Sequence, residues 1–481
     1  MERIWYKQWS TQGRWFDMTK MPSLANAVDG VMKEFSKNQS AETEKQLVEH
    51  QLARPLFTKE MKQDYTLLVP MMLPIHFPLL VEIFRQYGYN VELLETTHRG
   101  VVDEGLKNVH NDTCYPALLV IGQMLDALKS GKYDVNKTAL LITQTGGGCR
   151  ASNYVYLLRK ALEKNHLTQV PVITLNLSKL ESHPGFQITK TMIVKAIYAC
   201  VYGDMMMCLA NQCRPYEKIP GHTDQVIKNL TGILSNLFLT KRYLRLKENY
   251  LRILNAFKSI GLEKTEKVKV GIVGEIYMKY APLGNNQLEQ YLVQEGAEVV
   301  MTGVLDFLLY CFNNTFVDVK LYKEDQMKYH WMKWIFRYVV GFQEKMADVI
   351  RKNSSFRPPS TFYDVQKAVQ GYINQGVKMG EGWLLTGEMV EMIEHGINNI
   401  VCTQPFGCLP NHIVAKGMIR AIKNKHEDAN IVAVDYDPGA TRTNQENRIK
   451  LMLANANKKL QPQAQQQKIV VVDYGEKSNL A

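Results

Sequence analysis

The stretch that decides the fold is TLLVP at residues 66–70. A short apolar run of this kind predicts a buried strand, and the helical pattern that follows it extends through Leu79 to Tyr87. Further strands of the same type are predicted at residues 90–94, 139–143 and 170–175. Because these runs alternate with helical patterns, the sequence favours a mainly parallel sheet within residues 64–188.

A second β/α unit is predicted over residues 263–481. Its strand patterns lie at residues 268–273, 298–300, 400–402 and 431–434, and a helical insertion is expected at about residues 303–376. Residues 189–262 are predicted to be helical, because leucine and isoleucine recur there at three- and four-residue steps. The predicted fold class is α/β, with two Rossmann-like, doubly wound parallel-sheet domains, a helical linker region and a helical insertion.

Smaller elements are predicted within and around these units. Residues 1–63 are expected to form a polar N-terminal leader, and helices are expected at residues 285–295 and 411–424. A polar linker at residues 461–467 is expected to precede an edge strand at residues 469–472.

The composition of the chain excludes several classes of protein. Its 481 residues suffice for two or three domains, and its 46% hydrophobic and 22% charged residues are ordinary for a globular protein. The net charge of +11 comes without a nucleic-acid recognition motif, so it indicates solvated helical faces or a surface that attracts acidic partners. No apolar run reaches the ~18 residues of a membrane span, and no signal peptide is recognised. Eight cysteines without regular spacing indicate a reducing, cytoplasmic location.

Three cysteines share one local setting. Cys114, Cys149 and Cys408 each lie in a turn-like stretch, and a helical pattern begins one to three residues later. A cysteine in this position faces unpaired backbone N–H groups and the positive end of the helix dipole, which lower a thiol pKa. If the two domains face each other, the three thiolates meet at the carboxyl ends of the strands and form a cradle for an iron–sulfur cluster.

Other interpretations of these loops stay open. Each cysteine could instead be a small buried hydrophobe. Zinc is the rival metal, but structural zinc sites normally contain Cys-x-x-Cys pairs, and the chain has none. Gly147 and Gly148 indicate a backbone that approaches another group closely, or else a flexible turn. Arg150 is a candidate for binding phosphate or a cluster sulfur.

The other five cysteines are predicted to be structural. Cys200, Cys208 and Cys311 lie inside helical patterns, Cys213 follows one, and Cys402 lies in a predicted strand. The chain has no Walker A sequence, so ATP hydrolysis by this chain alone is not expected.

Several motifs resemble a known family. They are HNDTCYP at 110–116, TQTGGGCRA at 143–151, QPFGCLPNH at 404–412, RPYE at 214–217, PLGNN at 282–286 and DYDPGA at 435–440. In these motifs the chain resembles the acyl-CoA dehydratase activase-related proteins. That group belongs with the 2-hydroxyacyl-CoA dehydratases, the benzoyl-CoA reductases and the double-cubane cluster proteins. The resemblance runs from about Tyr65 to Met452.

This resemblance implies a [4Fe-4S] cluster, or a larger double-cubane cluster, between Rossmann-like domains. It also implies a partner, an ATP-hydrolysing activase that carries its own [4Fe-4S] cluster and injects low-potential electrons. In the dehydratase branch, one-electron reduction of an acyl-CoA thioester enables loss of water. The activase modules that many relatives carry upstream are absent from these 481 residues, so this chain is expected to be the electron-accepting component.

The resemblance leaves alternatives for the cluster and for the role of the chain. Three cysteines match a cluster with one open iron, whereas a double-cubane cluster needs further ligands such as Cys402 or Cys311. The chain is expected to form a homo- or hetero-oligomer and to bind neither nucleic acid nor membrane. A non-catalytic iron–sulfur electron carrier or redox scaffold, and a cluster-free α/β protein that binds a sugar or a nucleotide, are the alternative functions.

Overall fold

The computed structural model describes residues 54–110, 112–143, 148–175, 183–323 and 326–472. Within them, two four-stranded sheets, both wholly parallel, are flanked by helices. The predicted α/β class with two Rossmann-like units is therefore confirmed. The leader predicted over residues 1–63 lies outside the described residues as far as residue 53.

The first sheet has the strand order β2-β1-β3-β4. Its strands are β1 Thr66–Pro70, β2 Asn90–Leu94, β3 Thr138–Thr143 and β4 Val172–Leu175. Leu67 and Leu68 of β1 are adjacent and point to opposite faces of the sheet, yet neither is exposed to solvent. Burial on both faces explains why the stretch is continuously apolar.

The second sheet repeats this arrangement with the order β6-β5-β7-β8. Its strands are β5 Lys269–Gly274, β6 Glu298–Val300, β7 Asn399–Pro405 and β8 Asn430–Tyr436. In both sheets the first strand of the unit is an inner strand. The second strand pairs on one side of it and the third strand pairs on the other side, so the strand order changes direction at the first strand. The crevice at the carboxyl ends of the strands, next to this reversal, is where open α/β sheets bind ligands.

Helices cover both sheets and connect them. In chain order they are α1 Met61–Asp64, α2 His76–Gln86, α3 Arg99–Asn108, α4 Tyr115–Lys129, α5 Tyr154–Lys164, α6 Lys190–Cys213, α7 His222–Phe238, α8 Leu246–Lys258, α9 Ile276–Tyr280, α10 Leu288–Gln294, α11 Val304–Tyr322, α12 Gln326–Asn353, α13 Phe362–Ala368, α14 Trp383–Glu394, α15 Leu409–Val414, α16 Ile419–Lys423 and α17 Arg442–Val472. Helices α6–α8 form the predicted helical linker, and α11–α13 form the predicted insertion.

Helix α6 lies at the centre of the molecule. Tyr202, Met205 and Met206 on this helix are fully buried in a core that also contains residues of α2, α8 and α11. The segment Lys190–Tyr216 is long and apolar enough to cross a membrane by length and composition, but 67% of its apolar window is buried inside the protein. A helix that is apolar all round is typical of the core of a large protein or of a membrane span.

Two predicted helices differ in their bounds. The helix predicted from residue 285 begins only at Leu288, because Asn286 and Gln287 have left-handed backbone angles, with φ of 55° and 61°. The helix predicted over residues 411–424 is divided into α15, a 3-10 turn at Lys416–Met418, and α16. Both interruptions depend on backbone angles that a hydrophobic pattern does not encode.

The prediction for the C-terminal segment was wrong. Residues 461–467 and 469–472 were expected to form a linker and an edge strand, but α17 continues without a break through Val472. Alanine, glutamine and lysine between residues 463 and 468 all favour helix, so the helix that starts at Arg442 is propagated through them.

Candidate functional site

Each of the three cysteines caps the N-terminus of a helix. Cys114 precedes α4, Cys408 precedes α15, and Cys149 precedes the 3-10 helix Arg150–Asn153 that leads into α5. Helices α4 and α15 carry a proline in their first turn, which favours helix initiation there. The predicted position of each cysteine, just before the start of a helix, is therefore confirmed.

The loops of the three cysteines meet across the boundary between the domains. The Tyr115 backbone N–H donates to the Phe406 carbonyl oxygen over 2.9 Å, which joins the Cys114 loop to the Cys408 loop. The Cys114 sulfur lies 2.9 Å from the hydroxyl oxygen of Tyr154, the first residue of α5, which follows the Cys149 turn. The structure therefore brings Cys114, Cys149 and Cys408 to one site.

Gly407 is required for this approach. Its φ of +72° lies in the left-handed region, and a Cβ atom there would lie 3.0 Å from the Cα atom of Cys114. Only glycine combines this backbone angle with this contact at low cost.

Replacing Gly407 with alanine is expected to destabilise the protein more than replacing Gly396 does. Gly396 has a similar φ of +79° but faces open space, so its substitution should cost only the ~1–2 kcal/mol of a left-handed alanine. The difference between the two variants, measured by chemical unfolding, isolates the contact with Cys114. Equal losses of stability would contradict this role for Gly407.

Burial dominates the electrostatics of the three thiols. Cys114 and Cys408 are buried, and Cys149 is partly buried. Burial raises the pKa of Cys149 to about 11 and also raises the pKa of Cys114 and of Cys408. The expectation that the helix N-termini would lower these pKa values was wrong for the metal-free protein, because removal from water outweighs the helix dipole. The thiols are therefore protonated at neutral pH, and a metal that binds them displaces their protons.

Two carboxyl groups that the sequence did not reveal, the buried Glu381 and the partly buried Glu275, act electrostatically on the thiols. Glu275 directly follows β5, and its carboxylate accepts from the Met278 backbone N–H over 2.9 Å. Glu381 accepts from the Ile276 backbone N–H over 3.0 Å. Burial raises the pKa of Glu275 to about 8 and raises the pKa of Glu381, and both carboxyls raise the pKa of Cys408. Titratable groups with perturbed pKa values that lie together in this way mark a candidate functional site.

A loop that contains Glu381 covers the site. Gly380 and Gly382 on either side of this glutamate have positive φ angles of 60° and 47°. A Cβ atom at Gly380 would lie 3.1 Å from Pro410, beside Cys408, and Gly148, beside Cys149, packs against Met379. The loop thus contacts both domains next to a cysteine. The sequence signal for this loop, a glutamate between two glycines, went unrecognised.

The remaining predicted site residues have different positions. Gly148 has the close backbone approach that its sequence indicates, whereas Gly147 lies outside the described residues. Arg150 is exposed, and its charge lowers the pKa of Cys114 against the larger effect of burial.

The other five cysteines lie in regular elements. Cys200, Cys208 and Cys213 lie in α6, where burial raises the pKa of each. Cys402 is buried in β7, with its sulfur 3.9 Å from the Asn411 side-chain oxygen. Cys311 lies in α11 and is exposed to solvent, so the prediction that it is a buried structural cysteine was wrong.

A single metal ion and an iron–sulfur cluster place different requirements on these donor residues. Among the described side chains, no three His, Cys, Asp or Glu residues lie close enough together to hold one metal ion. The cysteines that bind an iron–sulfur cluster can lie farther apart, because they bind different irons around a larger inorganic core. Three thiols on three loops at one buried seam fit that requirement.

A cavity of about 280 Å³ adjoins the thiol site. Thr113 and Tyr115, on either side of Cys114, line it together with Phe406, and Asp112 and Asp437 supply its charged groups. The cavity has room for a small substrate or for one end of a larger one.

No protein-family model matches this chain, and no curated protein or solved structure shows significant similarity to it.

Proposed function

We propose that this chain is the iron–sulfur component of an ATP-dependent, low-potential reductase or 2-hydroxyacyl-CoA dehydratase-like system. Cys114, Cys149 and Cys408 hold a [4Fe-4S] cluster, and a separate ATP-hydrolysing activase with its own [4Fe-4S] cluster supplies the electrons. The observation that carries the proposal is the meeting of three helix-capping cysteines at one buried seam between two Rossmann-like domains. The motifs around these cysteines supply the choice of reaction.

The residues of the chain bind and shield the cluster. The Ala117 backbone N–H lowers the pKa of Cys114, and the Asn411 backbone N–H lowers the pKa of Cys408, against the larger effect of burial. These N–H groups would stabilise negative charge on the two sulfurs when a cluster is bound. The Glu381 loop excludes water from one side of the site. When bound, the cluster supplies a low-potential electron and an iron with a free coordination position.

The cavity next to Cys114 is the proposed binding site for the substrate. A volume of about 280 Å³ next to Cys114 accepts the acyl end of a thioester, with Tyr115 and Phe406 as apolar walls. The net charge of +11 attracts the phosphates that an acyl-CoA carries. The working compartment is the anaerobic cytoplasm.

Anaerobic purification followed by iron and sulfide analysis tests the cluster. Turnover of acyl-CoA esters in the presence of an activase and ATP then tests the reaction. Reduction of the cluster without turnover of any ester would favour the alternative function, a non-catalytic electron carrier or redox scaffold. A colourless protein without iron would refute both functions.

Replacing Cys402 with serine is expected to leave the cluster intact. Cys402 lies inside β7, where burial raises its pKa and where the charges that act on it belong to Asp435 and Lys416. The variant should retain the visible absorption of the wild type and lose about 1–3 kcal/mol of stability, because a hydroxyl replaces a thiol in an apolar strand. A bleached or altered spectrum in folded protein would instead identify Cys402 as a ligand of a double-cubane cluster.

A further inference from the structure

One buried side chain next to the thiol site lacks the hydrogen bonds that burial demands. Gln404, near the end of β7, has no exposed surface, and neither its amide nitrogen nor its amide oxygen has a partner within the described residues. Native proteins pair nearly all such groups, so an amide with both ends unpaired indicates a missing partner.

Other buried amides of the protein show how such groups are normally satisfied. The Gln343 amide donates to Asp306 over 2.6 Å and accepts from the Phe362 backbone N–H over 3.0 Å. The Asn411 amide donates to the Thr403 carbonyl oxygen over 3.1 Å. Among the described side-chain amides, Gln404 alone leaves both of its atoms buried and unpaired.

The position of Gln404 points to a ligand. It pairs in register with Asp435 on β8, and on its other side it is level with Glu275, because Gly274 pairs with Thr403. The turn after it folds back, with the Cys408 backbone N–H donating to the Pro405 carbonyl oxygen over 3.3 Å. The unpaired amide therefore belongs to the last residue but one of β7, at the carboxyl end of an inner strand and four residues before Cys408.

The face of the strand agrees with this position. Alternation along β7 places Gln404 on the same face as Ile400 and Cys402. Both of those residues pack in the core that includes Leu385 of α14 and Val414 of α15. Cys408 is the residue before helix α15, which packs on this face, so the amide and the thiol belong to the same side of the sheet.

We propose that the Gln404 amide N–H donates a hydrogen bond to a sulfur of the bound cluster. This inference rests on the proposed function, since it names a residue that acts on the cluster held there. Cluster sulfurs accept hydrogen bonds, and each such bond raises the reduction potential because it stabilises the added electron. A neutral donor suits a site in which Glu275 and Glu381 already place acidic groups. The amide oxygen remains an acceptor for a water or a substrate hydroxyl that arrives with the cluster.

The variant Gln404→Leu separates this role from a structural one. In the cluster-free protein, leucine removes two unpaired polar atoms, so the midpoint of chemical unfolding should be unchanged or higher than in the wild type. In the cluster-loaded protein, spectroelectrochemistry should show a reduction potential shifted to a more negative value. Gln404→Met, which is closer to glutamine in shape, should behave in the same way if leucine disturbs the end of the strand.

The matched control is Thr403→Val in the same strand. Thr403 is equally buried, but its hydroxyl donates to the Val273 carbonyl oxygen over 3.4 Å, so its loss should lower the unfolding midpoint and leave the potential unchanged. An unshifted potential in both Gln404 variants, or a lower unfolding midpoint in both cluster-free variants, would overturn the inference. Absence of iron from the wild type would instead overturn the proposed function on which it rests.

Discussion

Replacing Cys408 with alanine is expected to remove nearly all of the iron from anaerobically purified protein. Cys408 is the thiol that the second domain contributes, whereas Cys114 and Cys149 belong to the first. Without it, a cluster at the proposed site would be bound by residues of the first domain only. Even substitutions of residues that merely support metal ligands cost about 10–100-fold in metal affinity, so loss of a ligand should cost at least as much. Iron and sulfide analysis of the purified variant measures the effect.

The same loss is expected for Cys114→Ala and Cys149→Ala. Cys213→Ala is the matched control, because Cys213 is buried, as Cys114 and Cys408 are, but lies at the end of α6. It should retain the iron content of the wild type, as should the Cys200 and Cys208 variants. Full iron occupancy in Cys149→Ala would refute the assignment of the three ligands.

Replacing Lys279 with methionine is expected to cost about 3–5 kcal/mol of folding stability. The Lys279 ammonium lies 2.9 Å and 3.0 Å from the two carboxylate oxygens of Glu388, and the two side chains are only 4% and 3% exposed. Thr302 donates a further hydrogen bond to Glu388 over 2.6 Å. Methionine would leave the Glu388 carboxylate buried without its counter-charge, and chemical unfolding measures the loss.

Two further variants show whether the buried charge is the cause. Replacing Lys279 with methionine and Glu388 with leucine together removes both charges, so much of the lost stability should return. Replacing Arg351, whose ion pair with Asp348 spans 3.1 Å at the surface, should have little effect because exposed pairs contribute little. A double variant as unstable as Lys279→Met would show that packing rather than charge is lost.

The sequence predicted those parts of the fold and the site that depend on local pattern. Apolar runs such as residues 66–70 identified the strands, and turn-to-helix transitions identified Cys114, Cys149 and Cys408 as residues at helix N-termini. These signals lie within a few residues of one another along the chain. These signals can therefore be recognised in the sequence without knowledge of the tertiary structure.

The parts that the sequence did not predict depend on packing. The carboxyls of Glu275 and Glu381 are about a hundred residues apart and come together only when the Glu381 loop closes on the start of α9. The sign of the thiol pKa shifts was wrong because the helix dipole is a local property, whereas burial is produced by two domains meeting. The unpaired amide of Gln404 can be recognised only from the tertiary structure, which shows which hydrogen-bonding groups surround it.

The location of the thiols on both domains has a mechanical consequence. Hydrogen bonds from Tyr115 to Phe406 and from Arg99 to Pro438 already fasten one Rossmann-like unit to the other. Under the proposed function, a cluster held by Cys114, Cys149 and Cys408 would form a third connection, and by thermodynamic linkage its binding energy would oppose separation of the units. Oxidative loss of such a cluster would therefore weaken the association of the two units as well as end electron transfer.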